Sequence, residues 1–130
     1  MHRSKLAGFI IDCQTQDLGA AAKFWSGALG MKQQTLPAEE GEKYIGLVDP
    51  EERLHIEVQK VSHPSRVHLD IETDDIDAEV RRLTALGAKE IQRVHTWCVM
   101  EAPTGQRFCV VRAASKDFNL SANTWPRTDT

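Results

Sequence analysis

Two segments of this chain carry the same helix pattern, and the whole fold has to accommodate that repetition. After Asp17, a candidate N-cap, Leu18, Ala21, Ala22, Trp25, Ala28 and Leu29 fall three to four residues apart, and Gly30 follows. After Asp74 and Asp75, Ile76, Val80, Leu83 and Leu86 form a second such stripe closed by Gly87. Asp17 and Asp75 stand 58 residues apart, and both segments end in Ala-Leu-Gly. The exposed side of the second helix is expected to carry Glu79, Arg81 and Arg82 as a solvated face.

The flanks repeat as well. A short strand at Phe9–Cys13 precedes the first helix, and strands at 32–36, 44–48 and 54–61 follow it, with turns marked by Pro37, Gly41 and Asp49-Pro50. A strand at 67–72 precedes the second helix, and strands at 90–94, 96–101 and 107–112 follow, the last two separated by Pro103-Thr104-Gly105. Each half therefore reads strand, helix, strand, strand, strand. His63-Pro64 sits in the joining segment, where proline disfavours helix in the residue before it. The expected organisation is one domain over 1–114, with modules at about 6–61 and 67–113, and a C-terminal tail over 115–130. That tail is polar, with isolated Phe118 and Trp125, and reads either as flexible or as docking its aromatics on a partner subunit.

At 130 residues, 41% hydrophobic and 27% charged, the chain suits a soluble globular domain with a core of its own. Its net charge of −3 and scattered Lys and Arg leave no footprint for nucleic acid. No apolar run approaches the roughly 20 residues a membrane span needs. The expected location is the cytoplasm. Cys13, Cys98 and Cys109 are odd in number and lack Cys-x-x-Cys spacing, so they read as reduced thiols in or beside strands.

Side chains alternate along a strand, which sorts each strand into two faces. His55, Glu57 and Gln59 oppose Leu54, Ile56 and Val58, while His68, Asp70 and Glu72 oppose Val67, Leu69 and Ile71. Arg107, Cys109 and Val111 oppose Phe108 and Val110, and Asp12 alternates with Ile11 and Cys13. The apolar faces should carry the helices. The polar faces either meet water or, if the sheet curls, line a groove in which His55, Glu57, His68, Asp70, Arg107 and Cys109 converge.

The doubled pattern, together with Lys23-Phe24-Trp25-Ser26-Gly27-Ala28-Leu29-Gly30, His68-Leu69-Asp70-Ile71-Glu72-Thr73-Asp74-Asp75 and Ala102-Pro103-Thr104-Gly105-Gln106-Arg107-Phe108-Cys109, resembles the vicinal oxygen chelate superfamily. That group includes glyoxalase I, bleomycin-resistance proteins, fosfomycin-resistance enzymes and extradiol dioxygenases. The resemblance covers about residues 6–113 and implies an α+β fold of two βαβββ modules. They would form a U-shaped mixed sheet around a cavity with helices on the outer face, often in a homodimer.

It also implies a divalent ion, Ni, Zn, Fe or Mn, held from the first and last strands of each module. Carried over by position, Glu57 and His68 match two of the four ligands. Cys109 stands at the final-strand position, and the first-strand position falls near Gly8 or Ile10, which cannot ligate. Cys109, Asp12, His55 or Asp70 would have to complete the set.

The expected function is a glyoxalase-like small-molecule-binding protein with its ligand in the cavity. Asp12, His55, Asp70, Arg107 and Cys109 are its candidate binding residues, and His68 is its candidate catalytic group. The alternative is a metal-dependent lyase, isomerase or dioxygenase acting on a substrate with adjacent oxygens.

Overall fold

A computed structural model describes residues 1–127 and contains, among them, nine strands and four helices. In chain order these are β1 (His2–Gln14), α1 (Leu18–Leu29), β2 (Lys32–Thr35), α2 (Glu40–Lys43), β3 (Tyr44–Val48), β4 (His55–Val61) and β5 (Arg66–Thr73). They continue with α3 (Ile76–Ala85), β6 (Lys89–Val94), β7 (Trp97–Glu101), β8 (Arg107–Arg112), α4 (Phe118–Ser121) and β9 (Asn123–Trp125). The strand-helix-strand-strand-strand order occurs twice, as the repeated pattern predicts, and the fold is α+β. Contacts divide it into two units, Gly8–His68 and a second formed by Met1–Ala7 with the described residues from Leu69 onward.

In the unit Gly8–His68, β4 runs parallel to β1, β3 pairs antiparallel with β4, and β2 pairs antiparallel with β3. Parallel pairing needs a long connection, and α1 with two strands supplies it. The Asp17 carboxylate starts α1 by accepting the Ala20 N–H at 3.0 Å, and Gly30 ends it in the left-handed region, φ 68°. Leu18, Ala21 and Trp25 of α1 pack on Leu47, Ile56 and Val58, which are buried. Burial of each of the last three contributes about 1.5–3 kcal/mol. Gly8 lets the two parallel strands meet, because a Cβ there would lie 1.9 Å from the His55 carbonyl oxygen.

The second unit repeats the plan. β8 is parallel to β5, β7 pairs antiparallel with β8, and β6 pairs antiparallel with β7. Val80 and Leu83 of α3 pack with Ala88, Cys98, Met100 and Val110. Asp75 caps α3 by accepting the Ala78 N–H at 3.0 Å.

Three features differ from the expectations. The first strand extends back to His2, and β9 pairs antiparallel with its beginning, Trp125 opposite His2. The stretch after residue 114 thus folds onto its own chain up to Trp125. Phe118 is buried, the Trp125 Nε1–H donates to the Ser4 hydroxyl at 2.8 Å, and the Lys5 ammonium meets Asp117 at 2.6 Å. Residues 128–130 of the expected tail lie outside the described residues.

Glu79 does not belong to a solvated face, since it is fully buried. Its carboxylate accepts from Arg82 Nε at 2.8 Å and Arg82 Nη2 at 2.7 Å, and it meets His2 Nε2 at 2.7 Å. The Arg82 guanidinium lies 3.9 Å from the centre of the Trp125 ring. A fork of this kind satisfies a buried charge that would otherwise be costly.

On β5 the polar row is buried, while the apolar side is covered only at Ile71, which packs on the core of its unit. Asp70 and Glu72 are 8% and 2% exposed, whereas Val67 and Leu69 are 59% and 51% exposed. Glu72 tolerates burial because its Oε1 accepts the N–H groups of Ala114 and Ser115 at 2.9 and 3.0 Å.

Burial pushes the Glu79 carboxyl up, but hydrogen bonds from Arg82, His2 and Ser4 outweigh it and hold the group below its ordinary value of 4.5. A lowered folded value means that this stabilisation is complete above 4.5 and is lost as pH falls through the folded value. Urea unfolding should show that Glu79→Ala lowers stability by about 3–5 kcal/mol near neutrality, because His2 and Arg82 lose their partner. The deficit relative to the parent should shrink in acid.

Candidate small-molecule and metal site

Strand register decides which polar groups share a face. Partners in a parallel pair point to the same side, so Gly8, Ile10 and Asp12 of β1 stand beside His55, Glu57 and Gln59 of β4. Asp70 and Glu72 of β5 likewise stand beside Cys109 and Val111 of β8. His68 precedes Asp70 by two residues on the same strand and shares its side.

Asp12 is only 2% exposed, and its Oδ2 lies 2.8 Å from His68 Nδ1. A carboxylate can only accept, so Nδ1 carries the proton and the neutral ring has its lone pair on Nε2. The carboxylate fixes ring orientation and tautomer. Arg66 Nε approaches the same oxygen at 3.7 Å from a half-exposed position, where solvent screens it. Asp12 Oδ1 is buried and has no hydrogen-bond partner among the described residues.

In the second unit the Asp70 carboxylate on β5 and the Cys109 thiol on β8 are register partners. Carboxylate oxygen and thiolate sulfur are donors that a borderline ion such as Zn, Ni or Fe accepts, better than the harder Mn. The two residues therefore fit part of the shell of a divalent ion.

The remaining candidates have other neighbours. Glu57 Oε2 lies 3.2 Å from His55 Nε2. Arg107 Nε lies 3.8 Å from Glu101 Oε1, both of them part exposed. At the first-strand position the crowding of Gly8 against the His55 backbone leaves no room for a ligating side chain.

The sequence places Asp12 among candidate substrate contacts and among the residues that could complete a metal-ligand set, and does not pair it with His68. The residues are 56 apart. Their alternation with apolar neighbours was the one available signal.

The family model for the glyoxalase-like domain matches residues 8–111, which spans both repeats and every residue of this site. The chain belongs to the glyoxalase-like domain family. It is thereby a member of the vicinal oxygen chelate superfamily, as its motifs suggest.

Solved structures share its fold. A hypothetical protein from Bacillus halodurans C-125 superposes with a TM-score of 0.64 at 12% identity, over 87% of this chain and 96% of the other. Methylmalonyl-CoA epimerase from Mycobacterium tuberculosis gives 0.61 at 18% identity, over 85% and 89%. A variant of the Streptomyces coelicolor methylmalonyl-CoA epimerase, in complex with 2-nitronate-propionyl-CoA, gives 0.53 at 14% identity, over 84% and 98%. No curated protein sequence matches significantly. Among the described residues of this glyoxalase-like chain, no helix is long and apolar enough to cross a membrane.

Asp12→Asn replaces the carboxylate by an amide, which can offer either an acceptor or a donor to His68. Ring nitrogen resonances of His68 should move toward a mixture of the two tautomers, and stability should fall by about 1.5–3 kcal/mol, the worth of a charged hydrogen bond. Nitrogen-15 spectra and urea unfolding of the variant check both.

Proposed function

We propose that this glyoxalase-like protein binds a small molecule bearing adjacent oxygens and meets it with His68. The observation that carries this reading is the 2.8 Å hydrogen bond from His68 Nδ1 to the buried Asp12 carboxylate. A ring tied at one nitrogen can exchange a proton with a ligand through the other, and the Asp12 carboxylate stabilises the imidazolium formed when His68 takes a proton up. Asp12 is the positioning residue in this scheme. Family membership supports the reading, and the Streptomyces coelicolor relative, which shares the fold, has a small organic ligand bound.

The pairing of the Asp70 carboxylate with the Cys109 thiol in the second unit favours a second reading in which the protein is a metal-dependent lyase, isomerase or dioxygenase. Asp70 and Cys109 would hold the ion. When bound, a divalent ion supplies Lewis-acid stabilisation of negative charge on adjacent substrate oxygens.

A cytoplasmic setting fits three cysteines that form no disulfide among the described residues. The half-exposed Val67 and Leu69 on β5 offer a second copy an apolar surface, in keeping with a homodimer.

The test is titration of isotope-labelled protein with glycerate, pyruvate and catechol, each with adjacent oxygens, in the presence and absence of one equivalent of Zn(II). Saturable movement of the His68 ring resonances, lost in the Asp12→Asn variant or reduced about tenfold, is expected. If none of the three moves the ring under either condition, the reading is wrong. Movement that requires Zn(II) and disappears in Cys109→Ser selects the metal-dependent form.

A further inference from the structure

A polar groove of about 560 Å³ opens within the unit Gly8–His68, where β1 and β4 end beside α2. Its size lies in the range of small-molecule sites. Lys43 at the end of α2 and Lys60 near the end of β4 line it, together with Thr15, Gln59, Ser62 and His63. Neither lysine forms an ion pair among the described residues. In a chain of net charge −3, two unneutralised ammonium groups on one groove form a local site for an anion. Glu42 contributes one opposing charge to the lining, which stays net positive.

Several of the remaining lining groups can also donate. Ser62 brings a hydroxyl and Gln59 a carboxamide, while the Thr15 hydroxyl donates to the Asp17 carbonyl at 3.5 Å. His63 is held by its own Nδ1–H, which donates to the Pro64 carbonyl at 2.8 Å. Two ammonium groups plus this many donors exceed what the two oxygens of a carboxylate can use. A phosphate, with a charge of about −1.5 to −2 and three acceptor oxygens, matches them better.

The groove also adjoins the His68 site along the sheet. Gln59, which lines it, is the register partner of Asp12, which holds His68, and adjacent strands lie about 4.8 Å apart. We infer that the groove receives the phosphate-bearing end of the small molecule whose adjacent oxygens meet His68. The inference rests on the proposed role of His68, and it narrows the ligand to phosphorylated compounds.

The experiment compares glycerate with phosphoglycerate carrying its phosphate on the terminal carbon, and adds inorganic pyrophosphate as a probe of the groove alone. Amide spectra of the labelled full chain are followed at low ionic strength. Pyrophosphate should give saturable shifts at Thr15, Lys60, Ser62 and His63, and phosphoglycerate should move these amides and the His68 ring together. The Lys43→Gln/Lys60→Gln double variant should weaken binding of both phosphorylated probes about tenfold or more and leave any response to glycerate unchanged. His68→Ala should leave pyrophosphate binding intact.

Absence of saturable shifts at the groove amides, or equal affinity for pyrophosphate in the double variant, overturns the groove. Groove shifts with phosphoglycerate that leave the His68 ring unmoved, in a protein whose ring does respond to glycerate, overturn the link between the two. If the groove binds pyrophosphate but no adjacent-oxygen probe moves the ring, the His68 reading fails and the inference about the ligand's two ends fails with it.

Discussion

In each repeat the first strand lies parallel to the last, β1 beside β4 and β5 beside β8, and the polar groups of the site take their places from that pairing. A parallel pair cannot be closed by a hairpin, so a helix and two further strands must intervene. The intervening helix then covers the apolar side chains of the same strands, Ile56 and Val58 under α1 and Val110 under α3. The opposite side chains remain to form polar rows. Asp12 beside Gln59 and Asp70 beside Cys109 follow from register alone.

Buried carboxylates are the cost of this arrangement, and each is met differently. Asp12 has the His68 ring, Glu72 has the two backbone N–H groups of Ala114 and Ser115, and Glu79 has Arg82 and His2. Burial without such partners would cost several kcal/mol per charge. The Glu72 and Glu79 partners lie in structural positions, at the exit of β8 and under β9. Asp12 meets the His68 imidazole without the bidentate guanidinium that Glu79 has beside His2, and Arg66 reaches it only at 3.7 Å from a half-exposed position.

Much of the fold was legible because it is written locally. Both helices show their apolar stripes, their aspartate caps and their closing glycines within a dozen residues, and the alternation of Ile56 and Val58 with Glu57 and Gln59 announces a strand with one covered face. The short α2 and α4 have too few residues to display a period, and β9 has three. Glu79 was misplaced because the partners that let it be buried lie partly outside its helix, at His2 and, through Arg82, at Trp125. The exposure of Val67 and Leu69 on β5 has a similar origin. Alternation separates Val67 and Leu69 from Asp70 and Glu72 but does not state which set is covered.

By itself the sequence determined the doubled βαβββ order, the α+β class, the family resemblance and the polar rows that hold His55, Glu57, His68, Asp70, Arg107 and Cys109, since periodicity, caps and motifs act over short stretches of chain. Tertiary structure alone decided that Asp12 holds His68 across 56 residues, and that a side chain at position 8 would meet the His55 backbone. It also set Lys43 and Lys60 around one groove. These are consequences of strand register and of the packing of distant segments, and no local pattern of residue types encodes either.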